Sequence, residues 1–244
     1  MEYAKRYIGL LVPSADFVVE QDFKNTLPPH VGTYASRMFH GRNPKSTIEN
    51  LQKILDAAEG AAELVSHANP EVVIFCGTSA SFMHGKGSDD DLSKRLSKAA
   101  GGIPATNTTS AAVEALKALN VKKLFFYSPY PLPAHQRGVK FFGDHGFEVV
   151  DNDTFQCVNS LEIPALQPPD IVARLARHKE TLKRCDAVFA SCTNFRVLPV
   201  IEKLEKEYGI PIVSANQATI WSGLRHIKEP TNVVKGAGSL FQAG

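Results

Sequence analysis

The stretch Val73-Ile74-Phe75-Cys76-Gly77-Thr78-Ser79 has a counterpart in Val188-Phe189-Ala190-Ser191-Cys192-Thr193-Asn194, with Gly77 standing against Cys192, 115 positions later. Each is a short apolar run that ends in small, mostly polar residues, the pattern of a buried strand opening into a loop. Two more echoes keep the same order. Leu11-Val12-Pro13 is matched by Tyr127-Ser128-Pro129, 116 positions on, and Ile103-Pro104 by Ile210-Pro211, 107 positions on. Three ordered pairs at similar offsets point to a duplicated α/β unit. Between the apolar runs lie segments of helical period, which predicts helices over 46–67 (capped by Ser46, with Glu49 three residues on), 89–100, 110–119, 134–144, 169–184, 195–208 and 216–226. Strands are predicted over 7–12, 72–75, 123–127, 187–190 and 212–213. The expected fold class is therefore α/β: two pseudo-symmetric lobes, each a mainly parallel sheet flanked by helices. The first lobe would hold 1–115 and 219–244, the second 116–218.

Composition narrows the classes of function. Lys and Arg number 27 against 25 Asp and Glu, with the signs interspersed, so no nucleic acid or membrane partner is expected. At 43% hydrophobic and 21% charged, the 244 residues are of ordinary globular composition. The longest apolar runs, such as 71–76, fall far below the roughly 20 residues of a membrane helix. Met1-Glu-Tyr-Ala-Lys-Arg-Tyr7 has no apolar stretch behind its charges, so no secretory leader is read there. The four cysteines, Cys76, Cys157, Cys185 and Cys192, form neither a CxxC pair nor a zinc-like spacing with histidine. A reduced, cytoplasmic protein without a metal site is expected. Oligomeric state stays open.

Ligands of open α/β sheets bind beyond the carboxyl ends of the strands. Two facing lobes would thus enclose a cleft lined by Pro13, Ser14, Gly77, Thr78, Ser79, Tyr130, Cys192, Thr193 and Asn194. Gly77 lets backbone approach a ligand, and Thr78 and Ser79 add hydroxyls and N–H groups, the chemistry of an anion cradle. No Walker loop, GxGxxG turn or GxSxG elbow is present. Cys192, between a strand and a helix expected to begin near Asn194, would feel the positive end of the helix dipole, which lowers a thiol's pKa. Neighbours on a strand face opposite ways, so Cys76 should point away from the cleft if Gly77 faces it. Cys157 and Cys185 read as filler, and Asp89-Asp90-Asp91 as a solvated helix start.

Gly77-Thr-Ser-Ala-Ser-Phe82 with Gly85, then Pro129-Tyr130, Ser191-Cys192 and Gly209-Ile-Pro-Ile-Val-Ser214, together with Gly9-Leu-Leu-Val-Pro-Ser14, resemble the aspartate/glutamate racemase superfamily. Within it they are most similar to the branch holding arylmalonate decarboxylase and maleate cis–trans isomerase. The resemblance spans nearly the whole chain and implies two pseudo-symmetric lobes, a site between them, and no metal or organic cofactor. Racemases and the isomerase carry one cysteine on each lobe. With Phe82 and Gly85 in register, the first falls on Gly77, as in the decarboxylase. The resemblance then implies that Thr78, Ser79 and Tyr130, with N–H groups of Ser79, Cys192 and Thr193, hold one carboxylate of a substituted malonate. An apolar pocket takes the other carboxylate, and Cys192 protonates the carbanion.

Two features lean the other way. Thr193-Asn194-Phe195 follows the isomerase and racemase pattern rather than the decarboxylase's glycine pair. Pro13-Ser14 with Glu20 and Arg37-Met38 also leans towards the isomerase, although the asparagine of its first loop is replaced by Asp16, whose charge would repel a dicarboxylate. A cofactor-independent decarboxylase of a malonate-type acid is the expectation. Its rivals are a cis–trans isomerase or racemase of a small dicarboxylate or amino acid, with Cys76 recruited by a register shift, and a two-lobe protein that binds small acids without chemistry.

Overall fold

The computed structural model describes residues 3–243. Met1-Glu2 of the leader reading and Gly244 of the 219–244 segment lie outside them. Eight strands form two four-stranded, all-parallel sheets. The first half runs β1 (Arg6–Pro13), α1 (Val18–Thr26), β2 (Val31–Met38), α2 (Ile48–Asp56), α3 (Ala58–Ser66), β3 (Val72–Phe75), α4 (Thr78–Ser81), α5 (Ser88–Ala99), β4 (Ala105–Asn107) and α6 (Thr108–Ala118). The second half runs β5 (Lys123–Ser128), α7 (Leu132–Asp144), β6 (Glu148–Thr154), α8 (Pro168–Leu175), α9 (Lys179–Leu182), β7 (Ala187–Ala190), α10 (Ile201–Tyr208), β8 (Ile212–Ser214) and α11 (Ala215–His226).

The sheet orders are β2-β1-β3-β4 and β6-β5-β7-β8, the same order four strands later. The three sequence echoes fall on corresponding strands: β1 and β5, β3 and β7, β4 and β8. The middle strands β3 and β7 are buried along their whole length, because helices cover both faces of a parallel sheet. Phe126 of β5 and Phe189 of β7 pack with Phe142 of α7 on one face of the second sheet, the Phe142 and Phe189 ring centroids 4.8 Å apart, while Phe125 faces the other side against His178. Strands this apolar cannot face water on either side, which is why their sequences carry no alternation.

Three predicted elements end differently. The helix expected over 46–67 turns at Ala57 (φ −84°, ψ −9°) into α2 and α3, whose apolar residues Leu51, Ile54, Leu55, Ala61, Ala62 and Val65 share one buried cluster. Thr47, not Ser46, caps it, accepting the Asn50 N–H at 3.3 Å. The segment 169–184 is two helices joined by a tight 3₁₀ turn. The helix expected from Asn194 begins only at Ile201, after a 3₁₀ turn over Leu198–Val200. Pro199 blocks a continuous helix from Asn194: it sits inside that turn and has no N–H to bond back to the Phe195 carbonyl.

Candidate active site between two sheets

A cavity of about 40 Å³ lies where the carboxyl ends of the two sheets face each other. Its wall takes Pro13 from the end of β1, Gly77, Thr78, Ser79 and Ala80 after β3, Tyr130 after β5, and Cys192, Thr193 and Asn194 after β7. Of the residues named from the sequence, only Ser14 and Cys76 lie outside this lining. Ser14 is exposed, and its Oγ accepts the His40 N–H at 3.1 Å. It supports the loop that follows the next strand.

Cys76 is fully buried in the core, its Sγ 3.6 Å from the Ile74 carbonyl. Burial, with the charges of Asp16 and Glu20, pushes its thiol well up. Among the described residues, Cys192 is the one cysteine on the cavity wall. A Cβ on Gly77 would meet Phe75 Cε1 at 2.8 Å, so a first-lobe thiol at that position needs the ring to move. Cys76→Ala is expected to cost about 1 kcal/mol of stability through the void it leaves, with turnover retained. Urea unfolding and initial rates check this; a rate loss equal to that of a Cys192 variant would put both thiols in the chemistry.

Cys192 sits on strained backbone, with a φ of +128° in a region that side-chain-bearing residues rarely adopt. Its surroundings correct the helix-dipole expectation. α10, the helix expected to supply that dipole, begins nine residues on, at Ile201. Burial first, and Asp16 second, raise the thiol to about 12; the Asn194 N–H and the Tyr130 hydroxyl pull the other way. Cys192 is therefore a neutral S–H at physiological pH, a proton donor rather than a standing thiolate. Tyr130, also raised by burial and by Cys192, keeps its hydroxyl proton and lies 3.4 Å from Ser191 Oγ.

The strained loop is tied from several sides. Asn216, on α11, donates to the Thr193 carbonyl at 2.8 Å and to Asp22 Oδ2 at 2.7 Å. Thr193 Oγ1 donates to the Cys76 carbonyl at 3.3 Å, joining the loops that follow β3 and β7. Asn194 donates to the Ala15 carbonyl at 3.2 Å and the Ser160 carbonyl at 3.3 Å. Sequence reading missed Asn216, because a polar residue 24 positions beyond Cys192 carries no local signal.

It also missed the polar lining residues His40, Ser46 and Ser160, whereas Asp16, expected beside the substrate, is on the wall. Asp16 is buried and accepts the Val18 and Val19 N–H groups at 3.1 and 3.3 Å, capping α1. Burial lifts it to about 7, against which those hydrogen bonds, Thr193 and Arg37 act. Below that pH it is a neutral acid, so its expected repulsion of a dicarboxylate applies only above. His40, 5% exposed, has no hydrogen-bond partner on either ring nitrogen, and Thr78 Oγ1 is equally unpartnered. The apolar pocket expected for a second carboxylate is thus half polar: His40, Ser46 and Ser160 share it with Ile54, Ala80 and Ile163. The 39–47 loop closes it over, with Ser160 N–H donating to the Pro44 carbonyl at 2.7 Å.

A family model described as arylmalonate decarboxylase matches residues 8–241. The chain belongs to the arylmalonate decarboxylase family. Its relatives include the maleate isomerase of Nocardia farcinica (strain IFM 10152), 30% identical over 245 residues that cover 97% of this chain and 96% of that one. In fold it matches a mutant of the Nocardia farcinica maleate cis–trans isomerase with a covalently bound succinylcysteine intermediate, at a TM-score of 0.90 and 24% identity, covering 98% and 99% of the two chains. A liganded double mutant of arylmalonate decarboxylase matches with a TM-score of 0.90 and 22% identity, covering 98% and 100%. The resemblance drawn from the motifs holds: family members of both names share this two-sheet architecture. Among the described residues no helix is long and apolar enough to cross a membrane, and no three His, Cys, Asp or Glu side chains are grouped to hold a metal.

Proposed function

We propose that this chain is a cofactor-independent decarboxylase of a small malonate-type acid. The single observation that carries the proposal is the lone thiol: Cys192 lines the cavity as a neutral S–H, and Gly77 stands where a second cysteine would complete a two-base pair. Thr78 Oγ1, buried and unpartnered, Ser79 and the protonated Tyr130 hydroxyl would hold the retained carboxylate. The C–CO2 bond breaks with its electron pair passing into an enediolate, whose charge those donors stabilise. Cys192 S–H delivers its proton to the α-carbon, and the thiolate regains a proton from solvent after product leaves. Thiolate formed in this way is met by the Asn194 N–H and the Tyr130 hydroxyl, the two groups that already act to lower its pKa. A decarboxylase of this kind needs one proton donor to carbon on one face of the substrate, and among the described residues Cys192 is the one thiol on the wall.

Two observations favour a second reading, a cis–trans isomerase of a maleate-type dicarboxylate. Curated relatives of near-full coverage carry that name, and the half-polar wall would solvate a second carboxylate instead of destabilising it. In that reaction a thiol adds to the double bond, the new single bond rotates, and the thiol leaves. A neutral Cys192 would first have to lose its proton, which a raised pKa opposes. One screen separates the two readings. The chain is incubated in D2O with maleate, an amino acid and a series of α-substituted malonates. One CO2 and one carbon-bound deuterium per turnover of a malonate is the expected result; fumarate from maleate without CO2 supports the isomerase, and neither reaction leaves a binding protein.

A further inference from the structure

We propose that His40 makes this cavity selective for an α-substituent that bears a hydroxyl group, which donates a hydrogen bond to the imidazole. This rests on the small-acid reading above. His40 follows β2, is 5% exposed, lines the cavity, and has no aligned hydrogen-bond partner on Nδ1 or Nε2. A buried imidazole kept for structure alone would be bonded, since an unsatisfied buried polar group is costly. Its position is held from outside the ring, by the His40 N–H bond to Ser14 Oγ.

Chemistry then selects the ligand. Burial lowers the His40 pKa, so the ring is neutral and offers one N–H and one lone pair. The Lys45 carbonyl is the one protein group acting on the ring as an acceptor, and it can serve only the N–H side. The remaining nitrogen is an acceptor and wants a donor. A carboxylate has none to give, an alkyl or aryl group leaves the nitrogen empty, and a hydroxyl fits. Ser46 and Ser160 on the same wall can donate to that hydroxyl's oxygen.

The test uses two acids of nearly equal shape, 2-(hydroxymethyl)-2-methylmalonate and 2-ethyl-2-methylmalonate, titrated calorimetrically into the Cys192→Ala protein, which consumes neither. The hydroxymethyl acid is expected to bind about tenfold more tightly, the worth of one well-placed hydrogen bond. Adding His40→Leu should bring the two affinities to within about twofold, and His40→Gln, which keeps an acceptor, should restore part of the preference. Without ligand, His40→Leu should raise Tm by roughly 2–4 °C, because it removes an unsatisfied buried group. A fall in Tm would make the ring a structural residue and overturn the proposal. So would an unchanged affinity ratio in folded His40→Leu protein, or tighter binding of the ethyl acid by the unaltered ring. Binding of neither acid overturns the small-acid reading itself, and this proposal with it.

Discussion

Cys192→Ala is expected to lower turnover by about 10³–10⁴-fold, the upper range for losing a positioned general acid, while leaving the fold intact. The reason lies in what else the cavity offers. Tyr130 is held well above its ordinary pKa, Cys76 is buried in the core, and Asp16 sits as a cap on α1, so no neighbour takes over at the same point in space. Cys192→Gly sharpens the prediction. At a φ of +128°, glycine relieves backbone strain that cysteine endures. The glycine variant should therefore be inactive yet more stable than wild type by about 1 kcal/mol, read from urea unfolding. Equal or lower stability would mean that the strain at Cys192 is not a cost borne for function. Retention of full activity by either variant would remove Cys192 from the mechanism.

The second large effect concerns Asp16. Its folded-state pKa of about 7 lies above its ordinary 3.8, so the folded protein keeps a proton that the unfolded chain gives up. Stability from this group is fully present below about pH 4 and is lost as pH rises through about 7, at up to about 1.4 kcal/mol per pH unit. Asp22, lifted by burial to about 6, adds a loss of the same sign over a narrower window. Asp16→Asn keeps an oxygen to cap α1 and removes the titration. Its urea midpoint should fall less steeply between pH 4 and 7 than that of the wild type, and lie higher at pH 8. Activity follows the same charge. Above pH 7, ionised Asp16 faces a dianion in a small buried cavity, so kcat/KM should drop about tenfold per pH unit. In Asp16→Asn that alkaline limb should vanish. His40, whose pKa is lowered by burial, can shape only the acid side of the profile. An alkaline limb that persists unchanged in Asp16→Asn would assign it to another group.

How much of this was legible in the sequence depends on where each residue sits. Strands β1, β3, β5, β7 and β8 announce themselves because burial on both faces leaves unbroken apolar runs such as Val72–Phe75. Strands β2 and β6 escaped because they are sheet edges, half exposed and polar: Glu148–Thr154 reads EVVDNDT and carries no strand-like pattern. Strand β4 is only three residues long. Duplication was legible because equivalent strands must end in equivalent turns, so Gly77 and Cys192 hold the same place in two sheets of the same order. The protonation state of Cys192 was not legible. It follows from burial and from Asp16, which lies 176 positions earlier in the chain, whereas the local clue, a helix start, was displaced by Pro199. His40 and Asn216 owe their places to tertiary structure alone, and only coordinates reveal a buried histidine without an aligned hydrogen-bond partner.

The central claim is that one thiol protonates one face of the carbanion. Its most direct test is the configuration and isotope content of the product formed from a prochiral 2,2-disubstituted malonate in D2O. A single enantiomer bearing one deuterium at the α-carbon for each CO2 released is the predicted result. Racemic product, or an α-carbon that goes on exchanging deuterium after CO2 is lost, would show a second base at work and contradict it.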